Sequence, residues 1–152
     1  MLRPVIMIGC GGSGQKAVRY IRDAVRRQLD HNNWEGGIPN AWQFIGLDTL
    51  NIQEAPGEIP LLPASDYLSV SLAFDTFTAL SNALLAQHPA HEKLGYQELI
   101  GWRPVPEHVT VPLKSGAGQM RAVGRAAGVV SLATVVRPRL EEAFGACRSG
   151  GP

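Results

Sequence analysis

The sequence predicts an α/β domain built on a mostly parallel sheet, and three stretches predict it. Val5-Ile6-Met7-Ile8 is a short, unbroken apolar run. It ends in Gly9-Cys10-Gly11-Gly12-Ser13-Gly14 and leads into a helical pattern that opens near Gln15. Trp42-Gln43-Phe44-Ile45-Gly46-Leu47 is a second such run, closed by Asp48-Thr49. Lys114-Ser115-Gly116-Ala117-Gly118-Gln119 is a second glycine-bearing stretch that runs into a helix. Continuous apolar runs suit strands covered on both faces, as parallel strands are, and a helix between two of them is the crossover that parallel pairing needs.

The first strand is expected over 4–9 and the first helix over about 15–30. Val18, Ile21, Val25 and Leu29 fall at helical spacing, with Arg19, Arg22, Arg26 and Arg27 mostly on the other, solvated face. His31-Asn32-Asn33 ends this helix, and Gly36-Gly37-Ile38-Pro39 is loop. Residues 50–66, with Pro56, Pro60 and Pro63, are expected to be an irregular excursion. A helix is expected from Asp75 to about Gln87, with Phe77, Leu80, Leu84 and Leu85 inward. His88 and His91 read as surface loop, because Pro89 breaks the spacing a metal pair would use. A short helix over Tyr96–Gly101 and a rigid loop over 102–106 follow. Val109, Val111 and Leu113 suggest a short edge strand. Pro138 is expected to open a last helix, 138–147.

The chain of 152 residues has room for one domain with a real core. Its formal charge of +1 argues against nucleic acid or a membrane surface as the main partner. Two cysteines make no disulfide framework and fit a reducing compartment, and no apolar run reaches the length of a membrane span. The cytoplasm is the expected location. Fewer strands are visible than a parallel sheet needs, which suggests the N-terminal part of a longer protein.

The chemistry sits in the glycine stretches. A strand, a glycine turn and a helix N-terminus together make an anion site. Glycine lets the backbone approach a phosphate, and the free N–H groups and helix dipole supply positive potential. Gly9, Gly11 and Gly14 fit G-x-G-x-x-G, and no Gly-Lys-Ser/Thr end of a P-loop is present. Cys10 reads as a small residue packing beneath the turn, since no His or acidic partner is near it in sequence. Asp48 or Thr49, at a strand's C-terminal end, either touches a ligand or its metal, or caps a turn. In the second stretch, the N–H groups of Ala117, Gly118 and Gln119 are candidate phosphate donors, with Arg121 as a charged helper.

The order of these features resembles the tubulin/FtsZ superfamily. Gly9 to Gly14, Asp48-Thr49, and Gly116-Ala117-Gly118 with Val123-Gly124-Arg125-Ala126-Ala127 resemble its first three nucleotide loops. Ser115-Gly116-Ala117-Gly118-Gln119 is similar to the bacterial tubulin-like proteins found in large multi-domain chains. The resemblance implies a three-layer, Rossmann-like nucleotide-binding domain that binds GTP or GDP with Mg²⁺. It implies residues 9–15 on the phosphates, Asp48 and Thr49 near the nucleotide or metal, and 116–121 near the γ-phosphate. It also implies assembly through the nucleotide face, as a homo-oligomer or within a larger assembly. The family's Gly-Gly-Gly-Thr-Gly-Ser-Gly-like loop would follow Cys147, and its acidic hydrolytic loop lies further on. GTP hydrolysis is therefore expected only from a longer chain or an assembly. Two alternatives remain: a Rossmann-type dinucleotide or ubiquitin-activating-like adenylating enzyme, with Asp48 as the ribose acid, and a scaffold that serves assembly without hydrolysis.

Overall fold

A computed structural model describes residues 3–54, 57–71, 73–86 and 101–149. The chain is an α/β fold whose strands form one sheet in the order β1 (Val5–Cys10), β2 (Trp42–Asp48), β3 (Tyr67–Ser69). β1 and β2 are parallel, in a register that pairs Val5 with Trp42 and Cys10 with Leu47. The helices are α1 (Gly11–His31), α2 (Phe77–Ala86), α3 (Arg121–Ser131) and α4 (Arg137–Ser149). The residues group into two compact units. One comprises 1–47, 53–68 and 137–152, and the other 48–52 and 69–136.

The first unit holds β1, α1, nearly all of β2 and α4. Val18, Phe44 and Leu62 form its core, with Met7, Val25, Ile38 and Trp42 packed around them. The start of the parallel pair is fixed by Val5 N–H donating to the Ala41 carbonyl (2.9 Å) and by the Trp42 indole N–H donating to the Arg3 carbonyl (2.9 Å). β1 is less buried than its apolar run suggests, with Val5 40% and Ile8 43% exposed. The reason is its place at the sheet edge, where the described residues give it a strand partner on one side only.

α1 differs from expectation on its charged side. Ile21 is exposed, whereas Gln15, Arg19 and Asp23 are buried. Irregular chain at 53–54 and 57–62 is tied to this face through Glu54, Ile59 and Pro60. Arg19 donates to the carbonyls of Ile59 (2.7 Å), Pro60 (3.1 Å) and Glu54 (3.4 Å). Gln53 closes the segment on itself, accepting the Leu62 N–H (3.0 Å) and donating to the Leu62 carbonyl (2.8 Å). A chain without a ladder leaves carbonyls that need donors, and a guanidinium supplies several at once. Arg26 and Arg27 are exposed and paired with Asp23, in line with a solvated face.

In the second unit α2 packs on α3. Phe77, Leu80 and Leu84 are buried as expected, but Leu85 is 38% exposed, and Ser81 fills the inward position instead. No strand forms over 109–113. Short 3-10 turns at Pro106–His108 and Leu113–Ser115 stand there, because prolines at 104, 106 and 112 remove the donors a ladder would use. The histidine pair at 88 and 91 and the helix expected over 96–101 lie, apart from Gly101, outside the described residues.

Between α3 and α4 the helical turns widen to a five-residue π segment, Leu132–Val136. Pro138, in the first turn of α4, has no N–H for the carbonyl four residues back, so the regular ladder cannot run through this point. The last helix opens at Arg137, one residue before the expected proline and directly after the π segment, and extends two residues past 147. Among the described residues no helix is long and apolar enough to cross a membrane.

Candidate functional site

In the first unit the site is the turn from β1 into α1. The helix begins at Gly11, four residues before its apolar pattern does, so Gly11, Gly12, Ser13 and Gly14 are its first turn rather than a loop. A first turn leaves its N–H groups without intrahelical acceptors. Cys10 at the N-cap makes no side-chain capping bond, and none of the first turn's own residues is acidic.

The glycines have separate tasks. A Cβ on Gly9 would lie 2.2 Å from the Gly14 carbonyl oxygen and 2.8 Å from Val18 Cγ2, and one on Gly14 would lie 3.0 Å from the Gly9 carbonyl carbon. This pair lets strand and helix touch backbone to backbone, the close helix–strand packing that the third glycine of G-x-G-x-x-G serves. Gly11 has φ +70, in the left-handed region. Gly12 faces the open side, where the nearest group is the Glu54 carboxylate, 3.2 Å from a built Cβ. Ser13 is exposed. Gln15 is fully buried beside Gly46. Cys10 is exposed, not packed beneath the turn, because the backbone contact between Gly9 and Gly14 fills that space.

The second unit brings two of the sequence motifs together. Asp48 Oδ1 accepts the N–H groups of Thr49 (2.7 Å) and Leu50 (3.4 Å), so the turn-capping role is realised. Thr49 Oγ1 in turn accepts the Ala117 N–H (3.0 Å), joining Asp48-Thr49 to the second glycine stretch. That N–H, a candidate phosphate donor by sequence, is taken by a hydroxyl in this state. Three residues of the stretch have positive φ: Gly116 (+100), Gly118 (+58) and Gln119 (+63). Gly118 also lies close to Val111, whose Cγ2 would be 2.8 Å from a Cβ there. Arg121 opens α3 and is exposed, and one turn on Arg125 stacks over the Trp102 ring at 4.3 Å.

Sequence reasoning missed the groups that hold these segments. The buried Ser71 hydroxyl donates to the Thr49 carbonyl and lies 3.3 Å from that of Leu113. Ser69 donates to Asn51 Oδ1 (3.0 Å). Single serines at the end of a three-residue strand and two residues past it carry no pattern that marks them. Lys16 and Glu54 were also missed, and their ammonium and carboxylate are 2.5 Å apart. Arg19 did have a signal: Gln15, Arg19 and Asp23 recur every four residues, a polar stripe beside Val18.

Thr49→Val tests the join in the second unit. It keeps the shape and removes the acceptor, leaving the Ala117 N–H unpaired. The expected loss is about 1–2 kcal/mol of stability in urea unfolding, with faster amide exchange at Ala117. Unchanged exchange there would show that the hydrogen bond does not hold the loop.

The fold and this site define an α/β protein with a glycine-rich strand-to-helix turn and a second glycine stretch tied to the Asp48 turn. The model of the tubulin-like family matches residues 6–151, and the chain belongs to that family. No curated protein and no solved structure matches it.

Proposed function

We propose that this tubulin-like chain binds guanine nucleotide and that Gly9 to Gln15 hold its phosphates. The observation that carries the reading is the first turn of α1. It presents N–H groups that its N-cap residue, Cys10, leaves uncapped, between glycines that bring strand and helix into backbone contact. The family resemblance assigns the rest: Asp48 and Thr49 to the nucleotide or its Mg²⁺, and Gly116, Ala117, Gly118, Gln119 and Arg121 to the terminal phosphate. Carboxylate and hydroxyl oxygens are the ligand type Mg²⁺ takes, alongside the phosphates themselves. Mg²⁺ would supply charge neutralisation there. The same family reading makes the sheet part of a three-layer, Rossmann-like domain that assembles through its nucleotide face. Hydrolysis is assigned to loops that a longer chain or a neighbour supplies.

Gly12→Val tests this directly. Its side chain would meet only the flexible end of Glu54, so the fold should stand, while the new methyl groups occupy phosphate space. Calorimetry with GTP, ATP and NAD should show GTP binding by the native protein and a loss of about a hundredfold or more in the variant. Equal GTP affinity in both would remove the turn from the site. Preference for NAD or ATP would favour the dinucleotide or adenylating reading, and no binding at all the scaffold reading.

A further inference from the structure

The first turn of α1 is not left bare. Its own sequence supplies no acid, yet a carboxylate is brought to it from forty residues away. One oxygen of Glu54 is 3.2 Å from where a side chain on Gly12 would begin, and the other is 2.5 Å from Lys16 Nζ. Lys16 is on the second turn of the same helix, so the carboxylate lies beside the first turn with one oxygen and pairs with a cation one turn along with the other. A phosphate held by the N–H groups of this turn would occupy the same space beside Gly12 and could take the same ammonium.

The placement is built into the fold. Arg19, buried one turn beyond Gln15, holds the backbone carbonyls of Glu54, Ile59 and Pro60, and Gln53 locks to Leu62 on both its donor and its acceptor. The carbonyl of Glu54 is therefore tied to α1, and its neighbour Gln53 to Leu62. The Glu54 side chain is partly exposed and can turn away by rotation alone.

From this we infer that Glu54 is an internal competitor for the phosphate turn, and that Lys16 is the cation it holds until a phosphate takes its place. The inference rests on the nucleotide-binding reading above and adds the regulation of that site. Binding exchanges one carboxylate for a phosphate of higher charge. The ammonium of Lys16 passes from Glu54 to the phosphate, and the displaced carboxylate goes to water. Resting affinity is thereby set below what the turn alone would give, and anything that draws Glu54 away raises it.

The test is GTP binding by the full chain, measured by calorimetry for the native protein, Glu54→Gln, Lys16→Gln and the double variant. Glu54→Gln keeps the shape and removes the charge. It should bind GTP about threefold to tenfold more tightly than the native protein. Lys16→Gln should weaken binding, and the gain from Glu54→Gln should shrink in its background. A purely structural role for Glu54 moves affinity the other way. Unchanged or weaker binding by Glu54→Gln, with Gly12→Val still abolishing it, overturns the competitor and leaves the phosphate turn standing. Binding by Glu54→Gln where the native protein shows none supports the competitor in its strongest form. Absence of GTP binding in all four proteins overturns the competitor and the nucleotide reading together.

Discussion

Gly9→Ala is expected to cost at least about 3 kcal/mol of stability, because the added methyl has nowhere to go. It would sit 2.2 Å from the Gly14 carbonyl oxygen, 2.5 Å from its carbon and 2.8 Å from Val18 Cγ2. The first two are backbone atoms of the helix's opening turn and cannot rotate aside. Relief requires β1 and α1 to separate, which also opens the contact of Val18 with Phe44 and Leu62 in the core. Gly145→Ala is the matched control. It lies in α4 with nothing within 4 Å of an added Cβ, and helix propensity predicts a gain of about 0.5–1 kcal/mol. Urea unfolding of the two variants should move in opposite directions. A Gly9→Ala protein as stable as the native one would mean that strand and helix are not in backbone contact.

Arg19→Met should come next in size, a loss of about 2–4 kcal/mol with most of the apolar stem kept. Arg19 is 4% exposed, and its guanidinium satisfies carbonyls at Ile59 and Pro60 that have no ladder of their own. Without it the buried Ile59 oxygen is left unpaired, or the segment lifts and exposes it. The readout that separates this from a general loss of packing is limited proteolysis. Residues 53–62 should become the first site of cleavage in Arg19→Met, while the native chain is cut there slowly. Because Arg19 also places Glu54, its loss should release the Lys16 pair. Stability equal to the native protein would show that the segment holds itself.

Much of the first unit was legible in the sequence because its signals are local. A continuous apolar run, a glycine turn and a 3.6-residue period are set by neighbours along the chain, so β1, β2 and α1 fall close to where they are expected. The proline in the first turn of α4 is local in the same sense, since it removes a donor wherever it stands. The glycine spacing also marked Gly9, Gly11 and Gly14, and Asp48 carried its turn-capping alternative from the start. The family itself was readable from the order of these motifs.

Tertiary structure decided what depends on partners far along the chain. Whether an arginine on α1 is solvated or buried depends on what lies over it, and only the fold brings Glu54, Ile59 and Pro60 to Arg19 and leaves Arg22, Arg26 and Arg27 outside or half-covered. The burial of β1 depends on which strands flank it, so its apolar run could not report that Val5 and Ile8 stay exposed. The meeting of Thr49 with Ala117 spans 68 residues, and the approach of Glu54 to Gly12 has no periodicity to announce it. Short-range geometry is written into residue types and spacing. Which donor meets which acceptor across a loop is fixed only when the chain closes on itself, because that pairing is set by distance in space.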